Sequence, residues 1–253
     1  YNRSISFSEA INARNVIISK NTVLDIFKNN NYKTYFLAEK PYLLLNRPEI
    51  GYDECNFSYD DISYIGTGLG ERQDILTPLN TYIEAGVNQP KFFFIEMFNP
   101  GHIQNKYIDP LETVKELWIE SLNQANIRLE NMVSSIKRKD PNALIIIMAD
   151  HGGFIGMEYT NQIYIKTQDR DIIYSIFTST LAIHWPNGIA PEYDTSFKTA
   201  VNVFRIVFSY LSEDESYLSN LQEDGSYVVI NKEAPKGIYK YIDNNGKITF
   251  IKQ

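Results

Sequence analysis

Two apolar runs in this chain end on residues that can do chemistry. Ala143 to Met148, ALIIIM, reads as a buried strand and is followed by Asp150, His151, Gly152 and Gly153. A carboxylate beside a neutral imidazole suits a divalent metal, the acid supplying charge and the ring a borderline nitrogen donor. The glycines let the backbone turn away and leave room for a substrate oxygen. A plainer arrangement is also open, in which Asp150 caps the following turn and His151 packs against it. Two donors are less than a full shell, and no second acid of comparable placement stands out. The other run, in QPKFFFIEMFNPGH, stops at Asn99, Pro100 and Gly101 and delivers His102 just past the turn. His102 is then either a substrate-side imidazole or a surface histidine after a Pro-Gly turn.

These residues need elements to hold them. NTVLDIFKNNNYKTYFLAE places Val23, Leu24 and Phe27 at helical spacing, breaks at an Asn cluster suited to a left-handed cap, and resumes as a Tyr/Phe-rich strand. Residues 40–70 read as loops with room for one short strand. The clearest helix opens with Asp109 as cap, Pro110 at the first helical position and Glu112 at the capping-box position. It turns Leu111, Val114, Trp118, Leu122, Ala125, Leu129, Met132 or Val133, and Ile136 inward, and Lys137, Arg138 and Lys139 suit its C-terminal dipole. DIIYSIFTSTLAIHWPNG predicts one or two strands, with His184 as a packing residue. SFKTAVNVFRIVFSYLS predicts a helix with Val201, Phe204, Ile206, Val207 and Leu211 inward, and NNGK marks a terminal hairpin. Alternating strands and helices predict an α/β fold, with a largely parallel central sheet and helices on both faces. The main domain is expected over 1–211 and a small C-terminal strand and hairpin appendage over 212–253.

Composition narrows the partners. The 253 residues carry a formal charge of -7 and show no clustered basic face, which argues against nucleic acid. Cys55 is the only cysteine, so no disulfide forms within the chain, and the compartment stays open. No stretch reaches the roughly twenty apolar residues of a membrane span, and Tyr1 begins no signal sequence, so the chain as given is expected to be soluble. Its first residue is not Met, which is compatible with a processed or excised piece of a longer protein.

IIIMADHGGF resembles the Asp-His-Gly metal motif of the alkaline phosphatase and sulfatase superfamily, especially its bacterial envelope branch of sulfatase-like hydrolases and transferases. The neighbouring pieces follow in the same order. TVLDIFKNNNYKTYFL resembles a helix-then-strand unit that the family often writes with Gly-Tyr, here Asn31-Tyr32. PKFFFIEMFNPGH resembles the strand that ends in a substrate-side His, and Leu111 to Ile136 the helix preceding the motif. AVNVFRIVFSYL resembles the helix after the last large strands.

The resemblance covers most of Val23 to Leu211 and implies an alkaline-phosphatase-like fold lacking its first strand. It implies one divalent ion (zinc, manganese, magnesium or calcium) on Asp150 and His151, completed by ligands upstream of Tyr1. It implies Ser4 as nucleophile, with Ser6 or Ser8 as substitutes, although serines before a helix also serve as caps. His102 would bond a nonbridging oxygen or assist the leaving group. The implied activity is hydrolysis or transfer of phosphate or sulfate esters carried by a small molecule, a lipid headgroup or a glycan of the envelope. The implied location is the periplasmic or extracellular face of the cytoplasmic membrane, with membrane contact only through an N-terminal anchor outside this chain. Asn123 and Asn126 stand where the family often has Asp, and Cys55 lies in no sulfatase activation signature, so a formylglycine arylsulfatase is not expected. The alternative is a superfamily domain without catalysis that binds glycan, lipid headgroup or protein. The tyrosines of YKTYF and GIYKYI would furnish its face, unless they are ordinary strand residues.

Overall fold

The computed structural model describes residues 7–62, 69–103 and 111–253, with side chains except at 7–12 and 111. The chain divides into two compact units: the described residues up to Asn99 with Glu130–Asp140, and those of Pro100–Leu129 and Pro141–Gln253. Each unit mixes helices with strands, so the expected α/β class holds. No helix among the described residues is long and apolar enough to cross a membrane.

The first unit holds α1 (Phe7–Ser19), α2 (Thr22–Asn29), β1 (Lys33–Ala38), β2 (Glu54–Cys55), α3 (Leu76–Glu84) and β3 (Lys91–Glu96). Asn21 caps α2 by accepting the Leu24 N–H at 2.8 Å. Asn31, with φ 63°, makes the left-handed turn expected of the Asn cluster. β1 is the centre of a parallel sheet ordered β2-β1-β3, with Tyr35 opposite Phe93 and Phe36 opposite Phe94. A central parallel strand is covered on both faces, and Thr34 to Ala38 are all buried. Phe36 and Ala38 enter one core with Ile18, Leu24 and Phe57. Leu37 joins Ile75, Leu79 and Met132 in another. The stacked rings of Tyr35 and Phe93, 4.5 Å between centroids, add about 0.5–1.5 kcal/mol beyond the area they bury.

α4 (Leu111–Lys139) runs through both divisions, and its basic last turn is as expected. Its predicted caps, Asp109 and Pro110, lie outside the described residues. The second unit continues with β4 (Ile145–Met148), α5 (Arg170–Phe177), β5 (Leu181–His184), α6 (Val203–Ser212), β6 (Ser226–Ile230), β7 (Gly237–Ile242) and β8 (Ile248–Lys252).

Several expectations are corrected here. Among the described residues, parallel pairing of strands is confined to β2, β1 and β3. β4 pairs antiparallel with β5, Ile145 opposite His184, because the short link after α5 lays the chain back along β4. In a two-stranded ladder β4 is half-buried and Met148 exposed, rather than wholly covered. DIIYSIF is a helix: the Asp169 carboxylate accepts the N–H groups of Asp171 and Ile172, and Ile173 and Ile176 are buried at helical spacing. In α6 the buried face is Val203, Ile206, Val207 and Ser209, while Leu211 near its end and Val201, in the 3-10 turn before it, are exposed. The terminal hairpin exists as β7-β8 and gains β6 as a third strand. Of the tyrosines in the two quoted stretches, Tyr35, Tyr239 and Tyr241 are buried in the core, while Tyr32, just before β1, is half-buried.

Candidate functional site

The stretch after β4 is clipped to α5 and to the start of β5. Ala149 N–H donates to Thr180 O at 2.9 Å, Gly152 N–H to Ile176 O at 2.8 Å, and Phe154 N–H to Ser175 O at 3.2 Å. The Ser175 hydroxyl accepts the N–H of Ile155. Close approach, rather than room for a substrate, explains both glycines. A Cβ on Gly152 would stand 2.2 Å from Ser175 O, and one on Gly153 would stand 2.4 Å from Trp118 Nε1 on α4. Phe154 then takes a left-handed conformation, φ 56°, a costly one for a bulky residue.

That turn gathers three rings. His102 and His151 lie 4.8 Å apart between centroids. Phe154 is 5.3 Å from the first and meets the second edge-on at 4.9 Å. Partial burial, then the neighbouring His151, hold the His102 imidazole below its ordinary pKa against the pull of Asp150. A ring held below that value is neutral at pH 7 and offers one donor and one acceptor. Together with Thr160, Asn161, Ile163 and Tyr164, the rings line a cavity of about 330 Å³.

Among the described residues Asp150 caps no turn: its side chain is 87 % exposed and Oδ2 stands 3.5 Å from His151 Nε2. His151 Nδ1 lies 2.8 Å from Gly152 O, a carbonyl that can only accept, so Nδ1 carries the proton. Nε2 is then the ring nitrogen that faces the carboxylate, where a proton or a bound cation would join the two. A separation of 3.5 Å exceeds a good hydrogen bond and matches the spacing of two donors held about 2.0–2.2 Å from one tetrahedral ion. The pair therefore fits the implied metal as two of its ligands. Among the described residues, no group of three or more His, Cys, Asp and Glu completes a shell. Ser4 and Ser6 lie outside the described residues, and the Ser8 side chain is not described. Asn123 and Asn126 are exposed on α4. His184 sits on β5 with Nδ1 3.3 Å from Ala143 O, a packing position.

Sequence reasoning missed a second cluster, in the first unit. Glu39, immediately after β1, is fully buried. Its Oε2 accepts the Phe98 N–H at 2.9 Å and lies 3.4 Å from Arg72 Nε. Arg72 in turn donates to Asn99 Oδ1 at 2.7 Å. The group binds together the carboxyl ends of two parallel strands, where open α/β sheets place ligands. Its signal was available: an acid directly after an apolar strand, the same feature that singled out Asp150.

No protein-family model matches this chain, and a search of curated proteins finds no relative.

Proposed function

We propose that the second unit carries the reactive site of a metal-dependent hydrolase or transferase acting on phosphate or sulfate esters. The observation that carries this reading is the convergence of His102 and His151, distant in sequence, on one cavity wall, with the Asp150 carboxylate 3.5 Å from His151. In this reading the neutral His102 donates a hydrogen bond to a nonbridging oxygen of the ester, and only its protonated fraction, favoured at lower pH, can protonate the leaving group. Asp150 and His151 hold one face of a divalent ion, and the Gly152 carbonyl fixes the tautomer that keeps Nε2 available to it. Such an ion supplies positive charge to the phosphoryl or sulfuryl group. Ser4 is the proposed nucleophile, on the family resemblance alone. The same resemblance supports reading the parallel β2-β1-β3 sheet as part of an alkaline-phosphatase-like core, and a location at the outer face of the cytoplasmic membrane.

The test is turnover of p-nitrophenyl phosphate, bis-p-nitrophenyl phosphate and p-nitrophenyl sulfate with zinc, manganese, magnesium or calcium added. Metal-dependent turnover is expected, with kcat/KM falling about 10²-fold or more in His151→Ala. Turnover that ignores metal or survives His151→Ala contradicts the reading. One observation favours a second reading, a domain that binds without catalysis: the metal shell is incomplete among the described residues. Binding of a phosphorylated or sulfated ligand with no turnover under any of the four metals would select it.

A further inference from the structure

We propose that Phe154 is a positioning residue for the two imidazoles, its ring fixing where His102 meets the ester and how His151 faces the ion. This rests on the ester reading of their cavity. Phe154 takes φ 56°, and among the described residues the other non-glycine residues of positive φ are all polar: Asn31, Arg47, Asn187, Glu213 and Glu233. A bulky side chain persists in that conformation only where its surroundings over-determine it, and such residues gather at functional sites. Neither Gly152 nor Gly153 takes a positive φ. Both are committed to close approach, one to Ser175 O and the other to Trp118. The left-handed step therefore falls on the residue of the three that bears a ring.

The backbone of Phe154 is pinned on both sides. Its N–H donates to Ser175 O and its carbonyl accepts the Met157 N–H, each at 3.2 Å. The ring then stands against both imidazoles, tilted by 55° to His102 at 5.3 Å and edge-on to His151 at 4.9 Å. Although its anchor Ser175 lies on α5, Phe154 takes no part in the hydrophobic core that α5 shares with the C-terminal sheet. The Gly152 carbonyl already holds one side of the His151 ring. His102 has no such anchor: among the described residues no hydrogen bond fixes its ring. Packing against His151 and Phe154 sets its direction instead. An imidazole that must aim one N–H at an ester oxygen needs such a wall, because a small misplacement costs much of the rate.

Three variants test this. Phe154→Asn suits a left-handed backbone and has no ring, Phe154→Leu keeps apolar bulk, and Phe154→Tyr keeps the ring. Thermal melting checks that each is folded. The first readout needs no substrate: the nuclear Overhauser cross-peak between the ring protons of His102 and His151, with His184, the remaining histidine, as internal reference. The cross-peak is expected in the parent and in Phe154→Tyr. It should be lost in Phe154→Asn and Phe154→Leu while the His184 signals stay in place. The second readout is turnover of whichever p-nitrophenyl ester the parent accepts with added metal. In the two variants without a ring, kcat should fall about tenfold or more with KM within about threefold, and Phe154→Tyr should stay within about threefold of the parent in both. The proposal is overturned if the parent lacks the cross-peak, if the cross-peak survives in the folded variants without a ring, or if their turnover matches that of the parent. Unfolding of both those variants would mark Phe154 as a structural residue and overturn it as well. A cross-peak that depends on Phe154 in a protein without ester turnover removes the ester reading and leaves Phe154 as the residue that sets the imidazole pair.

Discussion

At the scale of single residues, Gly152 and Gly153 meet different obstacles, and their substitutions should differ accordingly. The Cβ of Gly152→Ala would meet the backbone oxygens of Ser175 and Thr178 at 2.2 and 2.7 Å, which the end of α5 cannot move aside. That of Gly153→Ala would meet the Trp118 side chain, which can shift. Urea melts should show a loss of about 3 kcal/mol for the first and about 1–2 kcal/mol for the second. The cost of Gly153→Ala should nearly vanish in a Trp118→Ala background; additive costs would show that the two do not meet. Asp53 makes a prediction in pH. Burial raises its pKa, but the Thr34 N–H and hydroxyl, at 2.8 and 2.9 Å, together with Lys28 and Lys33, outweigh burial and hold it below the ordinary carboxylate value. A depressed folded pKa contributes stability that is complete above the unfolded value, about 3.9, and is lost as pH falls through the folded value. Asp53→Asn should therefore weaken the fold at pH 7, and the gap between variant and parent should close as melts move from pH 4 downward. An equal gap at every pH would contradict this. Asp150 and His151 were legible as a pair in the sequence because they interrupt an apolar run. Their glycines were legible as a turn, but the contacts with α5 and Trp118 were not, since neither partner is near in sequence.

At the scale of elements, the end of α3 shows how a strand residue can finish a helix. Lys91 opens β3, and its ammonium donates to the carbonyls of Tyr82, Ile83 and Ala85 at 2.7–2.8 Å, the groups a helix C-terminus leaves without partners. Lys91→Met keeps the stem and removes the donors, so it should cost about 2 kcal/mol in urea melts, while Lys91→Arg should recover part of that. A neutral Lys91→Met would show that water serves these carbonyls equally well. The elements that sequence foretold best were α2, β1, β3 and α4, whose apolar patterns are the clearest in the chain. α5 was misread as strand because Ile172, Ile173 and Ile176 favour strands by type; the Asp169 cap decided for helix. In α6 the apolar pattern is wider than the buried face, so Val201 and Leu211 could not be sorted by type alone.

At the scale of the whole molecule, the α/β class followed from alternation, but pairing did not. Whether β4 joins a parallel sheet or turns against β5 depends on the direction in which α5 returns the chain, and periodicity carries no direction. Glu39 could be seen in the sequence as an acid ending an apolar strand, but its partners Phe98 and Arg72, remote in sequence, could not. The central claim is that Asp150 and His151 are two ligands of one divalent ion. Its most direct test is the melting temperature of this chain, of Asp150→Ala and of His151→Ala, each with zinc, manganese, magnesium and calcium added in turn. A ligand that binds only the folded state raises that temperature by mass action. The account predicts that at least one ion stabilises the parent and that the rise is lost in both variants. A parent that no ion stabilises, or a rise that persists in both variants, would contradict it.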